Sequence, residues 1–298
     1  MSQTAFALRL ALGLFLALAT AGGALAQVRP LLWEASSGST TVYLLGTIHV
    51  GSAALYPLPP AVEAAYARSA VIALEADPQD PAAMAGALSA TMYVPPDTLA
   101  RNVPAALFTQ VRDAFAAAGL PVEAAQGMKP FMAALVLTML EAGRQGLDPA
   151  LGIDIHLAAR ARRDGKRLET LESIGMQLAL LDGMPPDTQV AMLQSAVDGV
   201  RDGSLGRDMI SMIDAWRTGD AKRLEELARR DLEQLPAPAA RALRETLYEQ
   251  RNRDMTARIA TMLAGREVTL VAVGAAHLSG PTGIVQQLTA RGFSVRRL

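Results

Sequence analysis

No cysteine occurs in the 298 residues. That excludes disulfide staples and a thioether-linked lipid anchor, so an exported chain of this size has to rest on an ordinary hydrophobic core. An excess of charge of one sign is lacking as well. The 28 Lys+Arg stand against 29 Asp+Glu, which leaves no electrostatic footprint for a nucleic-acid or polyanion partner. In the body of the chain, residues 131–140 give ten uncharged, mostly apolar positions. A spanning helix needs roughly 20, so this stretch predicts a helix buried in the core. Neither an HExxH helix nor a G-x-S-x-G elbow is present, which removes the common zincin and serine-hydrolase arrangements.

What is present begins with a leader. Arg9 precedes an apolar stretch that ends in the small-x-small triplet Ala24, Leu25, Ala26. This is the pattern of a cleavable secretory signal over residues 1–26, cut after Ala26. Its removal takes away one cation and no acid, leaving residues 27–298 with a formal charge of −2. The expected location is the periplasm, with secretion as the alternative, and no stable membrane anchor after cleavage. The sequence sets no oligomeric state.

The rest of the chain reads as one α/β domain, residues 27–298. TTVYLLG (40–46) and AVIALEAD (70–77) are short apolar, β-branched runs of the kind that form buried strands. PPAVEAAYARS between them opens on prolines suited to a first helical turn. Strand, helix and strand in this order favour parallel, right-handed pairing. From about 81 to 263 the pattern is helical, punctuated by proline and glycine, with one possible strand at 167–171. VTLVAV, GPTGIVQQLTARG and FSVRRL then predict a strand, a helix and a short edge strand. The expected fold is a central mixed, largely parallel sheet built from N- and C-terminal segments, with a large helical insertion in the middle.

Only three histidines occur, yet two stand in the same phrase: GTIH at 46–49 and GAAH at 274–277. Each phrase falls where an apolar strand leaves the sheet. In open α/β sheets ligands gather beyond the carboxyl ends of parallel strands, and a glycine there permits a close backbone approach. Two such strands could bring His49 and His277 to one crevice, although a buried, hydrogen-bonded histidine is the plainer role for either.

GTIHVGS, LEAD, GIDIHL, LETLES, RNRDM and VGAAHLSGPTGIVQQL, in this order, resemble the TraB/PrgY/GumN family, also called TraB/Tiki, and its bacterial GumN-like branch most of all. The likeness runs from about Leu32 to the C-terminus. It implies a metal-dependent hydrolase that uses Mn²⁺ or Co²⁺, and a fold similar to erythromycin esterases and to a haem-binding lipoprotein.

With that resemblance the residues take roles. His49 and His277 are expected to ligate metal through neutral imidazole or to act as general bases. Glu75, ending the second strand, is expected in the same crevice, and the mixed N/O set also admits Zn²⁺. Asp77 of the same strand end either shares that face or starts a turn. Asp154 is expected either to hold a ligand in place or to cap a helix, and is counted among the metal ligands. His156, two residues on, diverges from it and reads as a core or surface histidine. Glu169 and Glu172 raise the question of a further ligand or general base; Glu169 is the expected one. The resemblance marks Arg251 and Asn252, with Arg251 stabilising an oxyanion or gripping a substrate carboxylate.

The expected activity is therefore metal-assisted hydrolysis of a peptide or a small amide or ester by activated water. The alternative is a non-catalytic periplasmic protein that sequesters a peptide or haem in the same crevice.

Overall fold

The computed structural model describes residues 29–38, 40–77, 79 and 91–298, so the expected signal segment lies outside the described residues. Six strands form one sheet: β1 (Leu32–Ser36), β2 (Thr41–Thr47), β3 (Val71–Leu74), β4 (Arg167–Thr170), β5 (Thr269–Gly274) and β6 (Ser294–Arg297), in the order β4-β3-β5-β2-β1-β6. β5 pairs in parallel with β2 and β3, and β3 with β4, while β1 is antiparallel to both β2 and β6. All strands but β1 therefore point the same way. The fold is the expected α/β architecture.

Continuous apolar sequence explains the centre of the sheet. Every residue of β3 and nearly all of β2 and β5 are buried, as strands covered on both faces require. The edge strands β4 and β6 are partly exposed and carry Arg167, Glu169, Arg296 and Arg297, charges that discourage further pairing.

Two features differ from the reading of the sequence. β2 and β3, joined by helix α1 (Pro60–Arg68), are parallel but not neighbours, because β5 lies between them. β1 was not singled out at all. Its five residues, LWEAS, are too short and mixed to announce a strand locally, and it exists through its ladders to β2 and β6.

The helical middle is divided by β4. Before it come α2 (Ala105–Ala117), α3 (Pro130–Arg144) and α4 (Ile153–Arg163). After it come α5 (Ile174–Asp182), α6 (Pro186–Asp202), α7 (Ser204–Thr218), α8 (Ala221–Glu233) and α9 (Gln250–Leu263). A short α10 (Ala275–Leu278) and α11 (Ile284–Ala290) follow β5. None of the helices among the described residues is long and apolar enough to cross a membrane.

The main core joins the sheet to α1, α4, α7, α9 and α11. A second core is all-helical, with Leu107, Val111 and Phe115 of α2 against Ala133 and Leu137 of α3 and Leu193 and Val197 of α6. The apolar helix α3 thus fills a core, but one that does not touch the sheet.

Trp216 of α7 fastens the helical middle to the strands. Its ring is buried in the main core and its indole N–H donates to the carbonyl of Gly46 at 2.7 Å. Trp216→Phe leaves that carbonyl without this donor and is expected to lower the free energy of unfolding by about 1–3 kcal/mol, read from urea denaturation.

Candidate functional site

The two histidine phrases sit side by side. In the parallel ladder of β2 and β5, Gly46 lies opposite Val273 and Thr47 opposite Gly274, so both strands leave the sheet at nearly the same level. Each glycine makes room for the other phrase. A Cβ on Gly46 would lie 3.1 Å from the Cα of Ala275. A Cβ on Gly274 would lie 3.3 Å from Glu75 Oε2, 3.5 Å from His277 Cδ2 and 3.7 Å from His49 Nε2. Those three side chains, expected at one crevice, surround one recess the size of a methyl group.

The neighbouring strands complete the row. Glu75 follows β3, and its backbone N–H donates to Ala272 of β5. Beyond β4 the ladder continues through Leu171 N–H to Leu74 and Glu172 N–H to the Glu75 carbonyl at 2.8 Å, which sets Glu172 beside Glu75. Four adjacent parallel strands thus each deliver a group past their carboxyl ends, where such sheets bind ligands.

Each imidazole is held by its Nδ1. His49 Nδ1 lies 2.8 Å from Asp154 Oδ2, while the Thr47 hydroxyl donates to the other oxygen of Asp154. Asp154 reaches this place because it is the second residue of α4. The backbone there is tied down by Ile153 N–H to the Ile48 carbonyl at 3.0 Å. Gly152 permits the contact, since a Cβ would stand 2.5 Å from the His49 carbonyl oxygen. His277 Nδ1 lies 2.7 Å from Asn252 Oδ1, and the orientation of that amide is fixed by its own Nδ2 donating to Thr282. Both acceptors take a proton from Nδ1, which leaves Nε2 as the ring nitrogen of each that has no fixed protein acceptor.

The two rings differ in charge. Asp154, directly attractive and hydrogen-bonded, outweighs the cost of desolvation and raises the His49 pKa to about 9; the side chain keeps 67% exposure at the crevice mouth. Burial lowers the His277 pKa to about 4, only partly opposed by Glu75 and aided by Arg251 and His49. At neutral pH the first is an imidazolium and the second is neutral. Between about 6.5 and 4 the unfolded chain takes up this proton more readily than the folded one, so the His277 contribution to stability is lost as pH falls through that window.

Glu75 is 6% exposed. Burial alone would raise its pKa, but His277, His49, Arg251 and the Gly274 N–H hold it down to about 2. Its Oε1 accepts from Arg251 Nη2 and from Gln177 Nε2 at 2.9 Å. Its Oε2 accepts from Gly274 N–H at 2.8 Å and faces His277 Nε2 at 3.8 Å.

Arg251 is engaged inside the protein. It donates to Glu172 through Nε at 3.0 Å and Nη2 at 2.7 Å, to Glu75 through Nη2, and to the Leu247 carbonyl through Nη1. Its placement ties Glu75 to Glu172.

The remaining expected residues lie elsewhere. Glu169 is inside the edge strand, paired with Arg167 at 2.9 Å; because β4 ends at Thr170, it is Glu172 that passes the strand end. Asp77 starts a turn by accepting from Gln79 N–H and pairs with Arg162. His156 stacks on Tyr56 with ring centroids 4.4 Å apart.

Sequence reasoning passed over Thr47, Gln177 and Tyr248. Thr47 sits inside the first histidine phrase. Tyr248 lies 5.7 Å from the His277 ring on a π-helical turn, Arg244–Glu249, that feeds α9, and such turns recur at functional sites.

Imidazole nitrogen and carboxylate oxygen are donor types that divalent cations accept. Among the described residues no group of three or more His, Asp and Glu side chains is drawn together at metal-ligating spacing. Asp154 has both oxygens occupied by His49 and Thr47 and stands behind the recess.

A sheet with this strand order and paired Gly-x-x-His exits defines an α/β protein with polar side chains gathered at the carboxyl ends of its central strands. The chain matches the TraB/PrgY/gumN family over residues 31–297 and belongs to it. It is 26% identical over 261 residues to the uncharacterized protein YbaP of Escherichia coli (strain K12), covering 84% of this chain and 89% of the relative, and the uncharacterized YbaP of Shigella flexneri matches to the same extent. No solved structure matches.

Asp154→Asn removes the charge that holds the His49 proton while keeping an acceptor for Nδ1. The His49 titration midpoint, followed by NMR of the ring protons, is expected to fall from about 9 toward the ordinary histidine value of about 6.5, with the His277 midpoint nearly unmoved.

Proposed function

We propose that the protein is an exported, metal-dependent hydrolase of amide or ester bonds, peptidase-like in kind, working in the periplasm at the crevice between His49, Glu75 and His277. One observation carries the reading: two imidazoles past the ends of adjacent parallel strands, each with Nδ1 tied to a fixed acceptor, flank the buried carboxylate of Glu75. Membership of the TraB/PrgY/gumN family supports it, and the leader over residues 1–26 supports the location.

The charge of the site supports a cation there. Three carboxylates, Asp154, Glu75 and Glu172, are buried beside one guanidinium, Arg251, and at neutral pH the His49 imidazolium is the second positive charge. This leaves the set one negative charge in excess. Exchanging the His49 proton for a divalent cation brings the set to neutrality, and buried charge is costly unless matched.

His49 and His277 would hold the ion through Nε2, with Glu75 Oε2 as the third donor; Mn²⁺, Co²⁺ and Zn²⁺ all accept such a set. The chemistry such an ion supplies when bound is Lewis acidity, which makes water acidic enough to attack a carbonyl near neutral pH. Asp154 and Asn252 keep each ring in one tautomer and one orientation. Arg251 and the Gly274 N–H keep Glu75 ionised, so it serves as a charged donor and not as a proton carrier at neutral pH. The open edge of His49 gives substrate its access, while buried His277 forms the floor.

The test uses protein lacking residues 1–26, dialysed against Mn²⁺, Co²⁺ or Zn²⁺ in turn and incubated with a defined peptide mixture and a matched set of small amides and esters. New termini or released leaving groups, read by mass spectrometry, are expected with the wild type. His49→Ala and His277→Ala should each lose more than about 100-fold of that rate, beyond what outer-shell partners alone cost, and should retain less metal by elemental analysis. Recovery of every substrate intact, with a peptide or haem bound one to one, would replace the hydrolase with a sequestering protein.

A further inference from the structure

The side-chain amide of Gln177 lies between two buried carboxylates. Its Nε2 is 2.9 Å from Glu75 Oε1 and 3.0 Å from Glu172 Oε2. A carboxamide nitrogen has two N–H donors, and here each goes to a different acid. Arg251 spans the same pair, so Glu75 and Glu172 share one positive charge and one neutral double donor.

We propose that Gln177, backed by Glu172, is a positioning residue that fixes the rotamer of Glu75 and thereby decides that Oε2 is the oxygen turned toward His277. The inference rests on the hydrolase reading and extends it to residues outside the metal-holding set. Oε1 already accepts from Gln177 and Arg251, which turns it away from the recess. Oε2 is left with the Gly274 N–H and faces His277 Nε2 at 3.8 Å. Without Gln177, one of the two side-chain donors on Oε1 disappears and two like charges lose their neutral bridge.

Local structure shows how the amide is delivered. Ser173, directly after Glu172, caps α5 through its hydroxyl oxygen, which accepts from Met176 N–H at 3.1 Å. Gln177 N–H then bonds the Ser173 carbonyl at 3.1 Å in the first turn. The reach from Glu172 to Gln177 is therefore set by one capped helical turn and not by a flexible loop. Apart from Gln177 and the closing Asp182, α5 is without polar side chains, IGMQLALLD, yet none of its residues is fully buried. A leucine at 177 would suit such a helix as well, so packing does not call for the amide; the two carboxylates do.

Gln177→Leu is expected to fold with an unchanged thermal midpoint to within a few degrees and to lose about 10–100-fold of kcat/KM, the range for an outer-shell partner. The loss should lie in kcat with KM little changed. A crystal structure of the variant should show Glu75 turned from its wild-type rotamer. Gln177→Met, unbranched and of nearly equal length, is made in parallel and read by the same two criteria.

Wild-type turnover with both variants fully active and Glu75 unmoved overturns the positioning role and leaves the hydrolase standing. A wild type that turns over nothing removes the hydrolase reading, and the Glu75 rotamer in the variant crystals then decides the positioning role alone.

Discussion

The site depends on the closeness with which two strands leave the sheet. β2 and β5 run in register to their last residues and α10 starts at once beyond β5, and a Cβ at either glycine would stand close to a neighbour, 3.1 Å from the Ala275 Cα at Gly46 and 3.3 Å from Glu75 Oε2 at Gly274. At Gly46 the backbone of Ala275 would meet an added methyl group. At Gly274 the obstruction would fall among Glu75, His277 and His49 themselves. Gly46 thus leaves a gap for the second phrase, and Gly274 leaves room for Glu75. Neither residue needs a positive φ, and glycine's lack of a side chain, not its conformational freedom, is the property used.

With the strand exits fixed, the local environments drive the two rings to opposite protonation states. His49 meets a carboxylate through Nδ1 and keeps its outer edge in water; His277 meets a neutral amide and is enclosed. The same side chain therefore becomes an imidazolium in one place and a neutral base in the other, about five pH units apart. Separation of this size between neighbouring groups is the usual mark of assigned acid and base roles. Here it also makes His49 the ring that would have to give up a proton before its Nε2 could serve as a ligand.

Much of this was legible along the chain because strand ends are local events. The glycine after an apolar run, the acid of LEAD and the histidine three residues past each glycine all mark their own exits. What brought them together was not legible. β5 lies between β2 and β3, although some two hundred residues separate it from either, and no local pattern announces that insertion. Glu169 was favoured over Glu172 because alternation suggested a strand without saying where it stopped; the strand ends at Thr170, which sets Glu172 and not Glu169 beside Glu75. Gln177 carried no signal, since a single amide in an apolar helix looks the same whether it faces solvent or two acids.

The helical middle acquires a purpose from these contacts. Every chemistry-bearing group at the strand ends is braced by a side chain from that region: His49 by Asp154 of α4, His277 by Asn252 of α9, and Glu75 by Arg251 of α9 and Gln177 of α5. A parallel sheet alone can align strand ends but cannot orient what projects beyond them, because the projecting residues are no longer held by a ladder. Orientation has to come from elements that lie over the carboxyl edge. The long excursions before and after β4 carry α4, α5 and α9 there. The division of labour is physical: the sheet sets where the groups stand, and the helices set which atom each one presents.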